Sequence, residues 1–186
     1  MTQAELLRYL VEALEALGVE YMVGGSHAAM YYGEPRLTRD VDVVVALPLE
    51  RLPALLQRFP PEGFYVDAEA AREAIETSGQ FNIIHPGSGQ KIDVYVNPDT
   101  PYDDRARLAR RQKLPLAPGV DAYFARPEDV ILYKLLYARE GGELHLRDVL
   151  GIVRVSGPDL DQRYVVEWAD RLGLRAVWEQ VRRQAG

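Results

Sequence analysis

The 186 residues predict an α+β fold, a mixed β-sheet flanked by helices with a helical segment at the C-terminal end. Three observations carry this. Short β-type runs alternate with amphipathic helical stretches through about residue 125. Two adjacent strand-like runs are joined by Pro86-Gly87-Ser88-Gly89, a hairpin signal. From Pro127 onward only helical periodicity remains. Residues 1–125 are therefore expected to form the α/β core, and residues 126–186 a helical segment packed on it.

Residues 3–17 place Leu6, Leu7, Leu10, Leu14 and Leu17 at helical spacing, with Gly18 as a stop. Val19–Val23 reads as a short strand, and Gly24-Gly25-Ser26 as a turn opening a helix that runs through Tyr32 and ends at Gly33. After a polar loop over 34–39, Asp40–Ala46 is a strand; Leu49–Phe59 reads as a helix broken by Pro60-Pro61. Phe64–Val66 suits a strand, residues 68–76 a short helix, and Gln80–His85 and Lys91–Val96 the two hairpin strands. Residues 99–112 read as a basic helix, Leu114–Phe124 as irregular with room for a strand. The remainder reads as three or four helices broken near Gly141-Gly142, Gly157-Pro158 and Gly173.

A 47% hydrophobic share supports a proper core and argues against wholesale disorder. With no cysteine, disulfides, thiolate metal sites and a cysteine nucleophile are excluded. The spacing of His27, His85 and His145 does not suit zinc. No apolar run approaches the ~20 residues of a membrane helix. The first residues lack a basic segment followed by an apolar stretch, so the expected location is cytoplasmic, without membrane partners. A net charge of −6 weighs against non-specific nucleic-acid binding without excluding a local basic patch. Only Lys91, Lys113 and Lys134 are lysines; the other basic residues are arginines.

The most informative stretch is Val23-Gly24-Gly25-Ser26 followed by Arg36-Leu37-Thr38-Arg39-Asp40-Val41-Asp42-Val43. Side chains alternate along a strand, so Asp40 and Asp42 share a face, roughly 6.5–7 Å apart. Two carboxylates at the head of a buried strand repel one another, and a cation removes that cost. Asp40 capping the strand with Asp42 in water is the alternative. A strand running through Gly-Gly-Ser into a helix directs backbone N–H groups and the positive end of the helix dipole to one point, as a phosphate requires. An ordinary turn with Ser26 as N-cap is the alternative there.

These paired motifs resemble the nucleotidyltransferase superfamily, which shares the DNA polymerase β-like fold. Its pattern is a hydrophobic residue, Gly-Gly or Gly-Ser, a spacer, and Asp-hydrophobic-Asp-hydrophobic. The form Arg36-x-Thr38-x-Asp40-x-Asp42 looks most like small bacterial nucleotidyltransferases related to abortive-infection (AbiEii-type) toxins. The resemblance implies a third carboxylate on a nearby strand, matched by Asp93 in Ile92-Asp93-Val94-Tyr95-Val96, for which an edge-strand Asp facing water is the alternative. It further implies Asp40, Asp42 and Asp93 as catalytic residues and ligands of two Mg²⁺ ions. Gly24, Gly25, Ser26, Arg36, Thr38, Lys134 and Asp148 become nucleotide-binding candidates.

Lys134 falls on the apolar stripe of a helix beginning at Pro127, where an ammonium needs a partner or must reach the edge of the stripe. The resemblance places such a lysine on the nucleotide phosphates and an acid near Asp148 in the site. The activity implied is transfer of a nucleoside monophosphate from an NTP to an acceptor hydroxyl, RNA or protein in a toxin-like role beside an antitoxin-like partner. Modification of a small antibiotic-type molecule is the alternative, and a non-catalytic nucleotide- or partner-binding module on the same fold a further one. Arg105, Arg107, Arg110, Arg111 and Lys113 form a basic run that reads as a solvated helix face or as a polynucleotide contact. Trp168 and Trp178 read as core.

Overall fold

Helix α1 (Gln3–Ala16) opens on a capping box in which Thr2 and Glu5 satisfy each other's backbone N–H groups. A computed structural model describes residues 1–96, 104–139 and 142–186. The expected helical residues 99–103 and the expected break at Gly141 lie outside the described residues.

Contacts divide the described chain into two units. The first comprises residues 1–24 and 38–124, and the second residues 25–37 and 125–186. Residues 25–37, early in the chain, thus belong with the C-terminal helices.

The first unit holds the whole sheet. Strands β1 (Glu20–Val23), β2 (Asp40–Ala46), β3 (Gln80–His85), β4 (Gln90–Val96), β5 (Gln112–Ala117) and β6 (Val120–Phe124) are ordered β3-β4-β2-β1-β6-β5. β2 runs parallel to β4 and antiparallel to β1; β3 closes an antiparallel hairpin on β4, and β6 lies parallel to β1. The sheet is therefore mixed, as expected. Val41, Val43 and Val45 of β2 are fully buried, as are Ile83 of β3 and Ile92 of β4, so one face of these strands is core. Leu6, Leu10 and Leu14 of α1 are fully buried as well, and α1 packs on β4.

Several segments differ from the sequence expectation. Leu49–Phe59 starts as a 3₁₀ turn (Leu49–Arg51) before helix α3 (Leu52–Arg58), with Pro53 in the first turn of α3, where its missing N–H is harmless. Phe64–Val66 makes only an isolated bridge, Tyr65 to Ile84. Helix α4 (Ala68–Thr77), capped by Asp67, precedes β3. Helix α5 (Asp104–Arg110) precedes the β5–β6 hairpin. That hairpin occupies the stretch Leu114–Phe124, expected to be irregular with room for one strand. Its Pro115 is tolerated because β5 is the edge strand, and the register slips between Pro115 and Ala117.

In the second unit, helix α2 (Gly25–Tyr32) packs against α6 (Pro127–Ala138) and α7 (Glu143–Ser156), with α8 (Gln162–Arg171) and α9 (Arg175–Ala185) completing it. Gly33 permits a close crossing: a Cβ there would lie 2.7 Å from the Ile152 backbone nitrogen and 2.8 Å from the Gly151 carbonyl carbon. The Tyr32 hydroxyl donates to the Ala125 carbonyl, and the Ser156 hydroxyl donates to the Tyr32 carbonyl, which pins the end of α2. Trp178 is fully buried. Trp168 is half-buried with the Arg171 guanidinium over its ring, an amphipathic position and not the core expected of it. Among the described residues, no helix is long and apolar enough to cross a membrane.

Candidate active site

The acidic strand face in the first unit follows from strand register. β2 and β4 pair in parallel with Asp40 beside Lys91 and Asp42 beside Asp93. Aligned residues on neighbouring strands point to the same face, so Asp40, Asp42, Lys91 and Asp93 form a two-by-two patch opposite the valine core. The strand order places β4 inside the sheet, and Asp93 is only 7% exposed; it is not an edge residue facing water. Asp40 is exposed at the mouth of the patch. The Thr38 hydroxyl donates to the Asp40 carbonyl at 3.3 Å and so braces the start of the strand.

Lys91 was not among the expected site residues, although a position two before Asp93 on one strand already put it on the same face. Its ammonium lies 2.9 Å from Asp93 Oδ1 and 3.4 Å from Asp40 Oδ1. The hydrogen bond to Asp93 holds the Lys91 proton above its usual range, with partial burial opposing and the Asp40 charge adding. Among the described residues, no three histidine, aspartate or glutamate side chains gather closely enough to hold a metal ion. The chemistry of the donors is nevertheless that which a hard divalent cation takes: three carboxylates share one strand face, and the Lys91 ammonium already lies against two of them.

At the end of β1 the Gly24 N–H donates to the Asp42 carbonyl at 2.9 Å, extending the β1–β2 ladder by one bond. Gly25 then takes φ +50°, in the left-handed region that a side chain disfavours. Glycine at 25 is therefore favoured by the turn itself, whereas a Cβ at Gly24 would meet nothing closer than 3.9 Å.

The second unit contains a buried charge cluster. Asp148 on α7 receives a bidentate pair from Arg36 at 2.7 and 2.9 Å and the Lys134 ammonium of α6 at 2.7 Å. Ser26 Oγ lies 2.6 Å from Arg36 Nη2 and 3.3 Å from Lys134 Nζ. Burial pushes the Asp148 carboxyl up, but the hydrogen bonds and charges of Arg36 and Lys134 outweigh it and hold the group below the usual carboxylate range. Two cations against one carboxylate leave the cluster with a single positive charge around a hydroxyl, a composition suited to an anion. His145 was also missed, although it precedes Asp148 by three residues, one helical turn. Burial and the Lys134 charge lower its pKa from 6.5, with Asp148 opposing, so the imidazole is neutral at pH 7.

The expected site residues thus fall into two groups. Gly24, Thr38, Asp40, Asp42 and Asp93 belong to the first unit, and Gly25, Ser26, Arg36, Lys134 and Asp148 to the second. The basic run is not one face. Arg107 is buried, and Arg111 pairs with Glu20 at 2.8 Å while its guanidinium sits 4.6 Å from the Tyr123 ring centroid.

Compared by sequence, the chain matches no protein-family model and no curated protein. Solved structures do match its fold. A nucleotidyltransferase-like antigenic protein from Paracoccidioides brasiliensis superposes with a TM-score of 0.58 at 20% identity, over 96% of this chain and 91% of that one. The antibiotic-resistance factor ANT(2″)-Ia, in complex with adenylyl-2″-tobramycin, gives 0.57 at 17% identity over 97% and 98%. The lincosamide antibiotic adenylyltransferase LnuA, with lincomycin bound, gives 0.54 at 13% over 82% and 96%. At these identities the likeness establishes architecture, and the mixed six-stranded sheet with its flanking helices is the nucleotidyltransferase fold.

Proposed function

We propose that the chain is a nucleotidyltransferase that moves a nucleoside monophosphate from an NTP such as ATP to an acceptor hydroxyl. The observation that carries this is the register of β2 and β4, which sets Asp42 beside Asp93 and Asp40 on the same face. Asp40, Asp42 and Asp93 would hold divalent ions, two Mg²⁺, which when bound neutralise the triphosphate and polarise its α-phosphorus. Gly24, Gly25 and Ser26 would admit phosphate oxygens to the backbone, and Arg36 and Lys134 would supply positive charge for them. Thr38 and Asp148 would act by position, Thr38 by bracing the Asp40 strand start and Asp148 by fixing Arg36 and Lys134. Asp93 would orient the acceptor hydroxyl and take its proton as the new oxygen–phosphorus bond forms. Cleavage of the bond to the β-phosphate then releases pyrophosphate. Catalysis of this kind is mostly positioning and charge neutralisation.

An RNA or protein acceptor, in a toxin-like role with an antitoxin-like partner, is one reading, supported by the AbiEii-type form of the Arg36-to-Asp42 motif. A small antibiotic-like acceptor is the second, favoured by the end-to-end superposition on ANT(2″)-Ia. Either fits a cytoplasmic site of action, where NTPs are found. The test is incubation with each α-labelled NTP, Mg²⁺, and in parallel total RNA, lysate protein, and panels of aminoglycosides and lincosamides. Label should move to one acceptor class, and Asp42→Asn should abolish transfer while leaving the circular dichroism spectrum unchanged. Full transfer by Asp42→Asn refutes the assignment.

A further inference from the structure

We infer that Lys91 is a resident counter-cation of the acidic strand face, and that a divalent ion binds there by displacing its ammonium from Asp40 and Asp93. The inference rests on the proposed role of the three aspartates as metal ligands. Asp93 is buried and stands beside Asp42 in register, so without a cation two carboxylates would face each other in a partly dry setting. Lys91 supplies that cation from the same strand, in register with Asp40. The resting chain therefore folds with Asp40 and Asp93 sharing one ammonium. An incoming Mg²⁺ must compete with the ammonium for Asp40 Oδ1 and Asp93 Oδ1.

What separates Lys91 from the other carboxylate-bound lysine is its freedom to leave. The Lys134 side chain is 5% exposed and held against an almost fully buried Asp148. The Lys91 side chain is 36% exposed, and Asp40 beside it 57%. A four-carbon stem at that exposure can swing its charge into water without losing core contacts. Lys91 is thus a positioning residue that sets the metal affinity by competition, keeping the patch closed to weakly binding cations.

Calorimetric titration with Mg²⁺ alone and Mn²⁺ alone, on the unaltered chain, Lys91→Met and Asp42→Asn, tests this. Lys91→Met should bind both ions about tenfold more tightly, because one positive charge is removed from within about 4 Å of the ligand oxygens. It should also melt at a lower temperature than the unaltered chain without metal and gain more from saturating Mg²⁺. A second readout needs no variant. With three lysines in the chain, the ¹³Cε resonance of Lys91 should move saturably with Mg²⁺ while that of Lys113 stays fixed. Equal or weaker metal affinity in Lys91→Met overturns the inference, as does a Lys91 resonance that stays put while Mg²⁺ saturates an Asp42-dependent site. Absence of metal binding by both the unaltered chain and Lys91→Met overturns the metal reading along with it.

Discussion

Replacing Asp148 by Asn removes one charge from a cluster that is nearly buried. Asp148 and Lys134 side chains are 3% and 5% exposed, and Arg36 is 18% exposed. In Asp148→Asn two cations remain facing a neutral amide that can accept from only one oxygen. Breaking a buried pair in this way costs about 3–5 kcal/mol, against about 5–15 kcal/mol for the whole stability of a typical protein. For a chain of this size that is a fall in melting temperature of roughly 6–20 °C. Removing the stranded charge as well should recover part of the loss, so Asp148→Asn/Lys134→Met should be more stable than Asp148→Asn alone. The pH dependence has a definite sign. The native carboxyl is held below its ordinary 3.8, so its stabilisation is fully present above that value and is lost as pH falls through the lower native one. Thermal melts of the four proteins of the double-mutant cycle, at pH 7 and stepped downward from pH 4, measure both effects. A single-mutant loss under 1 kcal/mol at pH 7, or a double mutant that is no better than Asp148→Asn, would falsify the account of a mutually compensated cluster.

Gly33→Ala should destabilise by about 1–3 kcal/mol, because its Cβ meets the backbone of α7, which has no rotamer to yield; chemical denaturation measures the loss, and a neutral substitution would mean that α2 and α7 do not cross this tightly. His145 should titrate below 6.5 in imidazole NMR spectra, and Lys134→Met should move it upward by removing a repelling charge. An unshifted His145 in that variant would show that the Lys134 charge does not help to set its pKa. Because the unfolded chain takes up this proton first, the His145 contribution to stability is present above 6.5 and declines as pH falls below it.

Local patterns made much of the fold readable. The run Asp40–Ala46 announces its strand through β-branched residues, and β2 has those bounds. The Pro86–Gly89 break announces the β3–β4 hairpin, which the structure contains. The β5–β6 hairpin was less legible because Pro115 reads as a breaker until β5 is known to lie at a sheet edge, a fact about neighbours and not about the segment. The same holds for the acids: the spacing of Asp40 and Asp42 gives a shared face within one strand, but which residue of a remote strand lies beside Asp42 depends on register, set by packing of the valine face.

What the sequence determined by itself is the class of fold, the shared strand face of Asp40 and Asp42, and the glycine turn before α2, because strand alternation, helical periodicity and the conformational freedom of glycine operate within a few residues of chain. Tertiary structure alone decided that Lys91 lies between Asp40 and Asp93, that Asp148 binds both Arg36 and Lys134, and that α2 belongs with the C-terminal helices. Those outcomes depend on how charges are paid when water is excluded, and burial is a property of the assembled chain that no short stretch of residues encodes.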